Sequence, residues 1–277
     1  MSIIKNIGKK LLGKGFKVPI LSGYLKGNYY RLNKFTALSP IFGNWEQDSQ
    51  TLFSLFIKKG DTVYDLGANT GIHSMLFAKL VGIDGIVYSC EPMKYNIEEI
   101  ELVKKYNHIK NITVVPEAIA NTIGFLEFAI GEHTKGGSLE LGLENLSKVT
   151  VPVNTIDNLV KKDFKLPNFI KIDIEGAEGA ALEGMEQSVQ KSYPSMYIEL
   201  HTPEQDAKVG AFLFRHGYEV YRLRTDDAVQ INNQMLMLQK VKDLTKPYPD
   251  PTGIWGCVLA LHPSRKSTWE LALAKLI

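Results

Sequence analysis

Residues 61–71, which read Asp-Thr-Val-Tyr-Asp-Leu-Gly-Ala-Asn-Thr-Gly, constrain the fold of this chain more than any other segment. The stretch 63–66 is a short, mainly apolar run, as a buried parallel strand requires. Gly67 and Gly71 then bracket a tight turn, and residues 72–80 follow with helical spacing. A strand, a glycine-rich turn and a helix form a nucleotide pocket, because bare backbone lets a ligand approach the helix N-terminus closely.

The spacing of this turn narrows the class of ligand. It is G-x-x-x-G, with an acid, Asp65, two residues before the first glycine. It lacks the G-x-G-x-x-G pattern that holds a pyrophosphate and the G-K-[ST] ending of a P-loop. The turn therefore favours a ligand without a polyphosphate.

Charge is distributed unevenly along the 277 residues. The net charge of +2 argues against an extended nucleic-acid surface. Residues 1–45 carry eight basic residues and no acid, which leaves 24 basic and 30 acidic groups in residues 46–277. We therefore predict a basic N-terminal arm or cap over 1–45 and one main domain over 46–277.

The cysteines and the N-terminus indicate where such a protein resides. Cys90 and Cys257 are far apart and lack metal-ligand spacing, which is typical of reduced thiols in a cytosolic protein. No apolar run approaches the ~20 residues needed to span a bilayer. Lysines at positions 9, 10 and 14 interrupt any signal-peptide core. We expect a cytoplasmic protein.

Strands and helices alternate from Glu46 onward. Repeated β-α units imply an α/β fold with a Rossmann-like, doubly wound sheet of about seven mostly parallel strands. Ligands of such sheets bind outside the carboxyl ends of the strands. The predicted strands are 62–66, 86–90, 112–115, 125–130, 149–153, 169–174, 196–200, 218–223 and 255–261, and the predicted helices are 47–57, 72–81, 95–106, 178–190 and 203–216, with a short helix capped by Thr155.

Seven segments in a fixed order carry a resemblance to a known family. On these segments the chain resembles the FkbM family of S-adenosylmethionine-dependent methyltransferases, over about residues 43–220. The resemblance implies the class I methyltransferase fold for 46–277 and S-adenosylmethionine (SAM) as the cofactor. The segments are Gly-Asn-Trp-Glu at 43–46, the stretch 60–71, Glu-Pro at 91–92, Pro-Glu-Ala at 116–118, the stretch 151–157, Lys-Ile-Asp-Ile-Glu-Gly-Ala-Glu at 171–178 and Ile-Glu-Leu-His at 198–201.

The cofactor site is expected at the first strand ends. Asp65 lies at the end of the first strand, where a carboxylate could hold the cofactor's ammonium through water or directly. Gly67 and Ala68 leave room for the methionine and ribose beside the backbone. Glu91 ends the second strand, where a carboxylate can accept hydrogen bonds from both ribose hydroxyls. Further cofactor-binding positions follow from the resemblance, the last two of them expected to border the adenine: Glu46, Asn69, Thr70, Gly71, Pro92, Asp173, Glu117 and Ala118.

The chemical step is expected at the ends of the fourth and fifth strands. Asp173, Glu175 and Glu178 lie in one short stretch, and Glu199 and His201 lie two residues apart. Methyl transfer to oxygen is helped by a base, and His201 is the first candidate because its ordinary pKa is near neutrality. Asp173 is the second candidate, or orients the cofactor, and Glu199 completes the catalytic set. A histidine that only caps a strand is the alternative interpretation of His201.

Residue spacing and the absence of one known motif bear on two questions: whether the site binds a metal, and which acceptor is methylated. The carboxylates and His201 are possible cation ligands, but their spacing matches no recognised metal site, so no metal is predicted. The Asn/Asp-Pro-Pro-Tyr/Phe string of DNA amino-methylating enzymes is replaced by Asp173-Ile-Glu-Gly. The resemblance implies O-methylation of a hydroxyl on a small-molecule, sugar, glycolipid or polyketide-like acceptor. The alternatives are an NAD(P)-dependent oxidoreductase, disfavoured by the turn spacing, and a non-catalytic SAM-binding module.

Four segments fall outside these assignments. Residues 3–12 place isoleucines and leucines at helical spacing among lysines. Such a basic amphipathic helix lies on an anionic membrane surface, or packs on the body or at a dimer contact. Residues 22–35 are predicted to form a hairpin over the pocket and 131–148 a loop on the substrate side. Residues 224–251 are predicted to be a long polar insertion.

Overall fold

The computed structural model describes residues 15–33, 38–130, 137–138, 147–231 and 234–277. The predicted amphipathic helix at 3–12 and most of the predicted loop at 131–148 lie outside these ranges. Within them, no helix combines the length and the apolar character that crossing a bilayer requires.

The described residues form fourteen strands and eight α-helices. The strands are β1 (Phe16–Pro19), β2 (Tyr29–Leu32), β3 (Thr62–Leu66), β4 (Ile86–Cys90), β5 (Ile112–Val115), β6 (Ala118–Ile119), β7 (Gly124–Ile130), β8 (Gly137–Ser138), β9 (Ser147–Asn154), β10 (Phe169–Ile172), β11 (Ser195–Glu199), β12 (Glu219–Ile231), β13 (Gln234–Lys240) and β14 (Cys257–Leu261). The helices are α1 (Gln47–Phe56), α2 (Ile72–Val81), α3 (Lys94–Asn107), α4 (Ile156–Lys161), α5 (Glu178–Glu183), α6 (Glu186–Ser192), α7 (Pro203–Arg215) and α8 (Lys266–Leu273).

The central sheet has eight strands in the order β13-β12-β14-β11-β10-β3-β4-β5. β5, β4, β3, β10 and β11 are mutually parallel. β14 is antiparallel to both β11 and β12, so β12 runs in the parallel direction, and β13 is antiparallel to β12. The predicted doubly wound sheet is confirmed. β4 and β5 follow β3 on one side of it, whereas β10 and β11 are added on its other side. The strand order therefore reverses between β3 and β10, which is the topological switch point.

Each face of the sheet is covered by its own set of helices. On one face, α1, α2, α3 and α8 contribute buried apolar side chains to a core with Val63, Phe169 and Tyr197. On the other face, α4 to α7 pack on Leu66, Ile172 and neighbouring strand residues. Both faces of a parallel sheet are thus buried, which explains the nearly continuous apolar runs of its strands.

Three predicted elements differ from the structure. The strand predicted over 169–174 ends at Ile172, because Glu175 and Gly176 adopt left-handed φ angles of 55° and 103°. The helix predicted over 178–190 is two helices. The break lies at Gly184 and Met185, and a Cβ atom at position 184 would lie only 2.0 Å from the Ala120 carbonyl oxygen, so only glycine fits this close approach. The prediction of a polar insertion over 224–251 is wrong for its first half, which pairs as β12 and β13 at the sheet edge.

The N-terminal hairpin packs along α3. β1 and β2 pair in antiparallel register, so the hairpin spans residues 16–32 and not the predicted 22–35, and it lies on α3, whereas the prediction placed it over the pocket. Arg31 Nη1 donates to Glu99 Oε1 at 2.9 Å, and Asn33 Nδ2 donates to the Tyr95 hydroxyl at 2.9 Å. Tyr30 is buried in the main core. This part of the predicted arm is therefore joined to the body by both apolar and polar contacts.

Candidate functional site

The glycine turn after β3 is packed against the strand end of β10. Gly67 has a φ of +79°, and a Cβ atom there would lie 1.8 Å from the Asp173 carbonyl oxygen, so the position requires glycine. The Asp173 amide donates to the Leu66 carbonyl at 3.1 Å. The Gly67 and Ala68 amides both donate to the Cys90 carbonyl at 3.1 Å. The turn is held at the switch point by backbone contacts to both neighbouring strands.

Glu91 lies beside this turn at the end of β4. Its side chain is buried, and its two carboxylate oxygens accept hydrogen bonds from the amides of Asn69 and Met93, each at 2.9 Å. Burial raises the pKa of Glu91 to about 7, against the opposing effect of the hydrogen bonds from Met93, Asn96 and Asn69. Glu91 therefore anchors the turn, and its charge is sensitive to pH near neutrality.

Asp65 is fully buried in this structure and has protein partners. Its Oδ2 atom accepts a 2.6 Å hydrogen bond from the Ser74 hydroxyl, which in turn accepts one from Ser89 at 2.7 Å. Its Oδ1 atom lies 3.6 Å from Nζ of Lys171. The carboxylate expected to hold the cofactor's ammonium is thus placed inside the sheet, where it faces a lysine.

Lys171 is not among the predicted site residues, but its charge lies at the centre of the site. Its Nζ atom donates to Oδ2 of Asp173 at 3.0 Å. Burial disfavours the charged lysine, but the carboxylates of Asp173 and Asp65 outweigh that cost and raise the pKa of Lys171. Burial likewise opposes charge on Asp173, but Lys171 lowers its pKa below the ordinary value. A lysine inside the apolar run Phe-Ile-Lys-Ile is the sequence signal that could have identified it.

His201 is held by a buried glutamate. Its Nδ1 atom lies 2.8 Å from Oε1 of Glu178, which is fully buried and also accepts from the Gly176 amide at 3.0 Å. Its Nε2 atom lies 3.6 Å from Oδ1 of Asp173 and 3.7 Å from Oε2 of Glu175. The hydrogen bond to Glu178 raises the pKa of His201 to about 9 although burial opposes it. His201 is therefore an imidazolium at neutral pH, not the neutral base that its ordinary pKa suggests.

Two further acids lie beside the charged group formed by Asp173, Lys171 and His201. Burial, followed by the charge of Asp173, raises the pKa of Glu199. Glu46, just before α1, lies 3.2 Å from Nε2 of His73. Burial opposes its ionisation, but the neighbouring imidazole of His73 outweighs it and lowers the pKa of Glu46. The structure thus brings Glu199 and Asp173 together at the carboxyl ends of their strands, as predicted, and places Glu46 beside them, which the strand pattern did not predict.

The cluster carries more acidic than basic groups. The carboxylates are those of Glu46, Asp65, Asp173, Glu175, Glu178 and Glu199, and the bases facing them are Lys171, His73 and His201. Asp173, Glu199 and His201 each offer a ligand atom, and these atoms lie within 4.8 Å of one another. Such an arrangement suits a cation, either a divalent metal or a positively charged organic group.

The remaining predicted positions lie in the glycine turn, just after β4 and just after β5. Asn69 is exposed and adopts a left-handed φ of 49°, while Thr70 and Pro92 are half-buried. Glu117 accepts a 2.9 Å hydrogen bond from Nδ2 of Asn154, and Ala118 is buried in β6. Their contacts to a cofactor stay predictions.

Comparison with known proteins gives concordant matches. The family model described as "Methyltransferase FkbM domain" matches residues 65–220, more than half of the chain. The hexuronic acid methyltransferase AglP of Haloferax volcanii is 24% identical over 159 residues, which are 56% of this chain and 62% of that relative. The chain thus spans less than two thirds of that curated relative.

Two solved structures align with part of this chain. The methyltransferase FkbM of Methylobacillus flagellatus KT aligns with a TM-score of 0.47 at 19% identity, over 73% of this chain and 43% of that one. The precorrin-6y C5,15-methyltransferase of Geobacter metallireducens GS-15 aligns with a TM-score of 0.47 at 15% identity, over 82% of this chain and 95% of that one.

Proposed function

The chain belongs to the methyltransferase FkbM domain family, and on that premise we propose that it transfers the methyl group of SAM to a hydroxyl of a sugar-like acceptor. The observation that carries this proposal is the convergence of the glycine turn, Glu91 and the acidic cluster at the switch point. Ligands of doubly wound sheets bind at this place.

The residues at the site fit the chemistry of SAM. Its sulfonium and ammonium are cationic, and the cluster around Asp173 and Glu199 has an excess of carboxylates. Glu91, next to the turn that Gly67 keeps free of side chains, is the carboxylate proposed to accept hydrogen bonds from the ribose hydroxyls. Asp65 acts indirectly in this proposal: it compensates Lys171, and Lys171 in turn holds Asp173 ionised.

His201 is proposed as the group that removes the acceptor proton. When bound, SAM supplies an electrophilic methyl group, and the S–C bond breaks as a C–O bond to the acceptor forms. The hydroxyl proton moves to Nε2 of His201 in its neutral form, since Nδ1 is held by Glu178. The carboxylates of Asp173 and Glu175 face Nε2 and stabilise the imidazolium that results.

The name of the Haloferax volcanii relative supports a sugar acceptor. That protein is described as a hexuronic acid methyltransferase. Transfer of this property to the present chain is part of the proposal, since the match covers 62% of that relative.

Binding and turnover test the proposed function separately. Calorimetric titration with SAM, S-adenosylhomocysteine (SAH) and NADH is expected to show binding of the first two and none of NADH. Glu91→Gln should weaken SAH binding, whereas Glu101→Gln, at an exposed position of α3, should not. Methyl-labelled SAM and a panel of saccharides then test turnover. NADH binding in place of SAH would overturn the proposal, and SAH binding without transfer to any hydroxylated acceptor would favour a non-catalytic module.

A further inference from the structure

Glu46, at the start of α1, has an uncommon backbone conformation. Its φ and ψ angles of 38° and 51° lie in the left-handed region, which a residue with a side chain adopts rarely. Its carbonyl oxygen accepts from the Gln50 amide at 3.0 Å, but its side chain makes no capping hydrogen bond to the helix. Because such a conformation costs free energy, it persists only where the surrounding structure enforces it, and such positions cluster at functional sites.

His73 faces the Glu46 carboxylate from the first turn of α2, directly after the glycine turn. Its Nε2 atom is buried and lies 3.2 Å from Oε2 of Glu46. Among the described residues, Nε2 has no partner that meets full hydrogen-bond geometry. The proposed function gives neither of these two side chains a specific task.

Three aromatic rings fix the orientation of the His73 imidazole. It stacks on Phe77 with the ring centres 5.8 Å apart, meets Phe53 edge-on at 5.4 Å and lies 4.4 Å from the centre of the Trp45 ring. An apolar ring would serve such packing as well, and burial of an imidazole nitrogen without a partner is costly. The nitrogen is therefore expected to act on the carboxylate that it faces.

Glu46 lies on the β10 side of the glycine turn. Its carboxylate interacts electrostatically with Lys171 and Asp173 at the end of β10 and with Glu199 at the end of β11. Glu91 lies on the opposite side of the turn, at the end of β4. Because the proposed function places the ribose of SAM at Glu91, the methionine end of the same molecule is expected on the β10 side.

The other carboxylates on that side are less available to a ligand. Asp65 is fully buried and faces Lys171, with which Asp173 is also paired. Burial raises the pKa of Glu199, which disfavours its charged form. The side chain of Glu46 is partly exposed. Burial opposes its charge too, but the neighbouring imidazole outweighs burial and lowers the pKa of Glu46, so its carboxylate is ionised at neutral pH.

We propose that Glu46 receives the ammonium group at the methionine end of SAM, and that His73 is the positioning residue that directs the Glu46 carboxylate towards it. An ammonium donates charge-assisted hydrogen bonds to a carboxylate, and a carboxylate that is already held in place loses less freedom on binding. The role expected of Asp65 from the sequence thus passes to Glu46. This inference rests on the proposed function, because it assigns the contact of one group of its cofactor.

The test compares two ligands that differ in one group. Calorimetry on the whole protein measures the affinity for SAH and for the SAH analogue in which hydrogen replaces the amino group. Wild-type protein is expected to prefer SAH about 30-fold, as a hydrogen bond to a charged group allows. Glu46→Gln should reduce this preference to about threefold, because it leaves only a neutral acceptor. His73→Phe should reduce it to below about tenfold, and His73→Gln, which keeps an N–H donor, should retain most of it.

A second histidine–glutamate pair, remote from the site, provides the matched control. Nε2 of His216 lies 3.0 Å from Oε1 of Glu186, with side-chain exposures of 6% and 34%, against 10% and 45% for His73 and Glu46. His216 follows the last residue of α7, a helix of 13 residues or about 20 Å that begins next to His201. Glu186→Gln and His216→Phe should leave both affinities unchanged.

NMR of the wild-type protein gives a readout that needs no variant to fold. The ring-proton signals of His73 should shift when SAH binds, because the ammonium draws on the carboxylate that the imidazole faces. The analogue without the amino group should shift them much less. Equal shifts with the two ligands would overturn the positioning role of His73.

The ratio of the two affinities separates recognition of the ammonium from support of the fold. If Glu46→Gln weakens both ligands equally, Glu46 has only a structural role and the proposal is overturned. An unchanged ratio in His73→Phe would remove His73 from it. Wild-type protein that binds both ligands equally would overturn the ammonium contact and leave the proposed function intact. Failure to bind SAH at all would overturn the proposed function, and this inference with it.

Discussion

Lys171 and Asp65 occupy paired positions on the neighbouring strands β10 and β3, and Nζ of the lysine lies 3.6 Å from Oδ1 of the aspartate. Both side chains are essentially inaccessible to solvent, with residue exposures of 1% and 0%. A buried charge is tolerated only when it is compensated, and Asp173 provides the second carboxylate at 3.0 Å. The three side chains of Lys171, Asp65 and Asp173 form a largely buried charged group at the carboxyl ends of β3 and β10. This group connects the glycine turn to the carboxylates around His201.

Removal of the lysine charge should destabilise the protein. Lys171→Met leaves Asp65 and Asp173 without their common partner, and breaking a buried pair in this way costs about 3–5 kcal/mol. Urea unfolding followed by circular dichroism measures the change. Lys148→Met, at an exposed lysine on β9 that pairs with Glu127, is the control and should leave the midpoint unchanged. Equal midpoints for the two variants would show that this charged group contributes little.

The rate of methyl transfer should depend on the protonation of His201. Because the pKa of His201 is about 9, the neutral base is scarce at pH 7 and its fraction rises as the pH increases. The ratio kcat/KM, which reports the pKa of the free enzyme, should rise about tenfold per pH unit below that pKa and then level off. His201→Gln should lower kcat about 100-fold and flatten the profile. A flat wild-type profile would assign the base to another group.

Glu178 is expected to act through His201. Glu178→Gln removes the largest influence that raises the pKa of His201, so the imidazole should titrate at lower pH. Two-dimensional NMR of the histidine ring protons measures that titration without reference to activity. Glu186→Gln, beside His216, is the matched control and should leave His201 unchanged. If the glutamine variant titrates like wild type, Glu178 has no such influence.

Cofactor affinity should rise with pH through neutrality. The pKa of Glu91 is about 7 in the free protein, so the carboxylate is protonated below that value and ionised above it. Only the ionised form accepts strongly from ribose hydroxyls, so SAH should bind about tenfold more tightly at pH 8 than at pH 6. Calorimetry at both pH values provides the measurement. Glu91→Gln should weaken binding and abolish the difference, and persistence of the pH dependence in that variant would rule out Glu91 as its source.

Activity is expected to be independent of divalent metal. Asp173, Glu199 and His201 lie close enough to bind a cation, but Asp173 is already paired with Lys171 and His201 with Glu178. Treatment with EDTA should therefore leave kcat unchanged. Loss of activity that Mg²⁺ restores would contradict this and would make the three side chains a metal site.

The sequence correctly predicted those strands and helices whose limits are marked by neighbouring residues in the chain. β3, β4, β5 and α2 have the predicted limits, because each is an apolar run bounded by glycine, proline or polar residues. The break at Gly184 and the length of β12 were missed. Gly184 packs against the Ala120 carbonyl, which is remote in sequence. β12 pairs with β13, the next strand along the chain, and the polar run Arg-Thr-Asp-Asp at 224–227 concealed it.

For the site, the sequence by itself determined which residue types stand at the strand ends: the glycine turn, Glu91, Asp173, Glu199 and His201. Only the tertiary structure decided their charges and partners. Lys171 faces Asp65 because β10 and β3 are in register, and His201 is cationic because Glu178 lies 2.8 Å from its ring. Electrostatic energies depend on distance and burial, and both arise only when segments remote in sequence pack together.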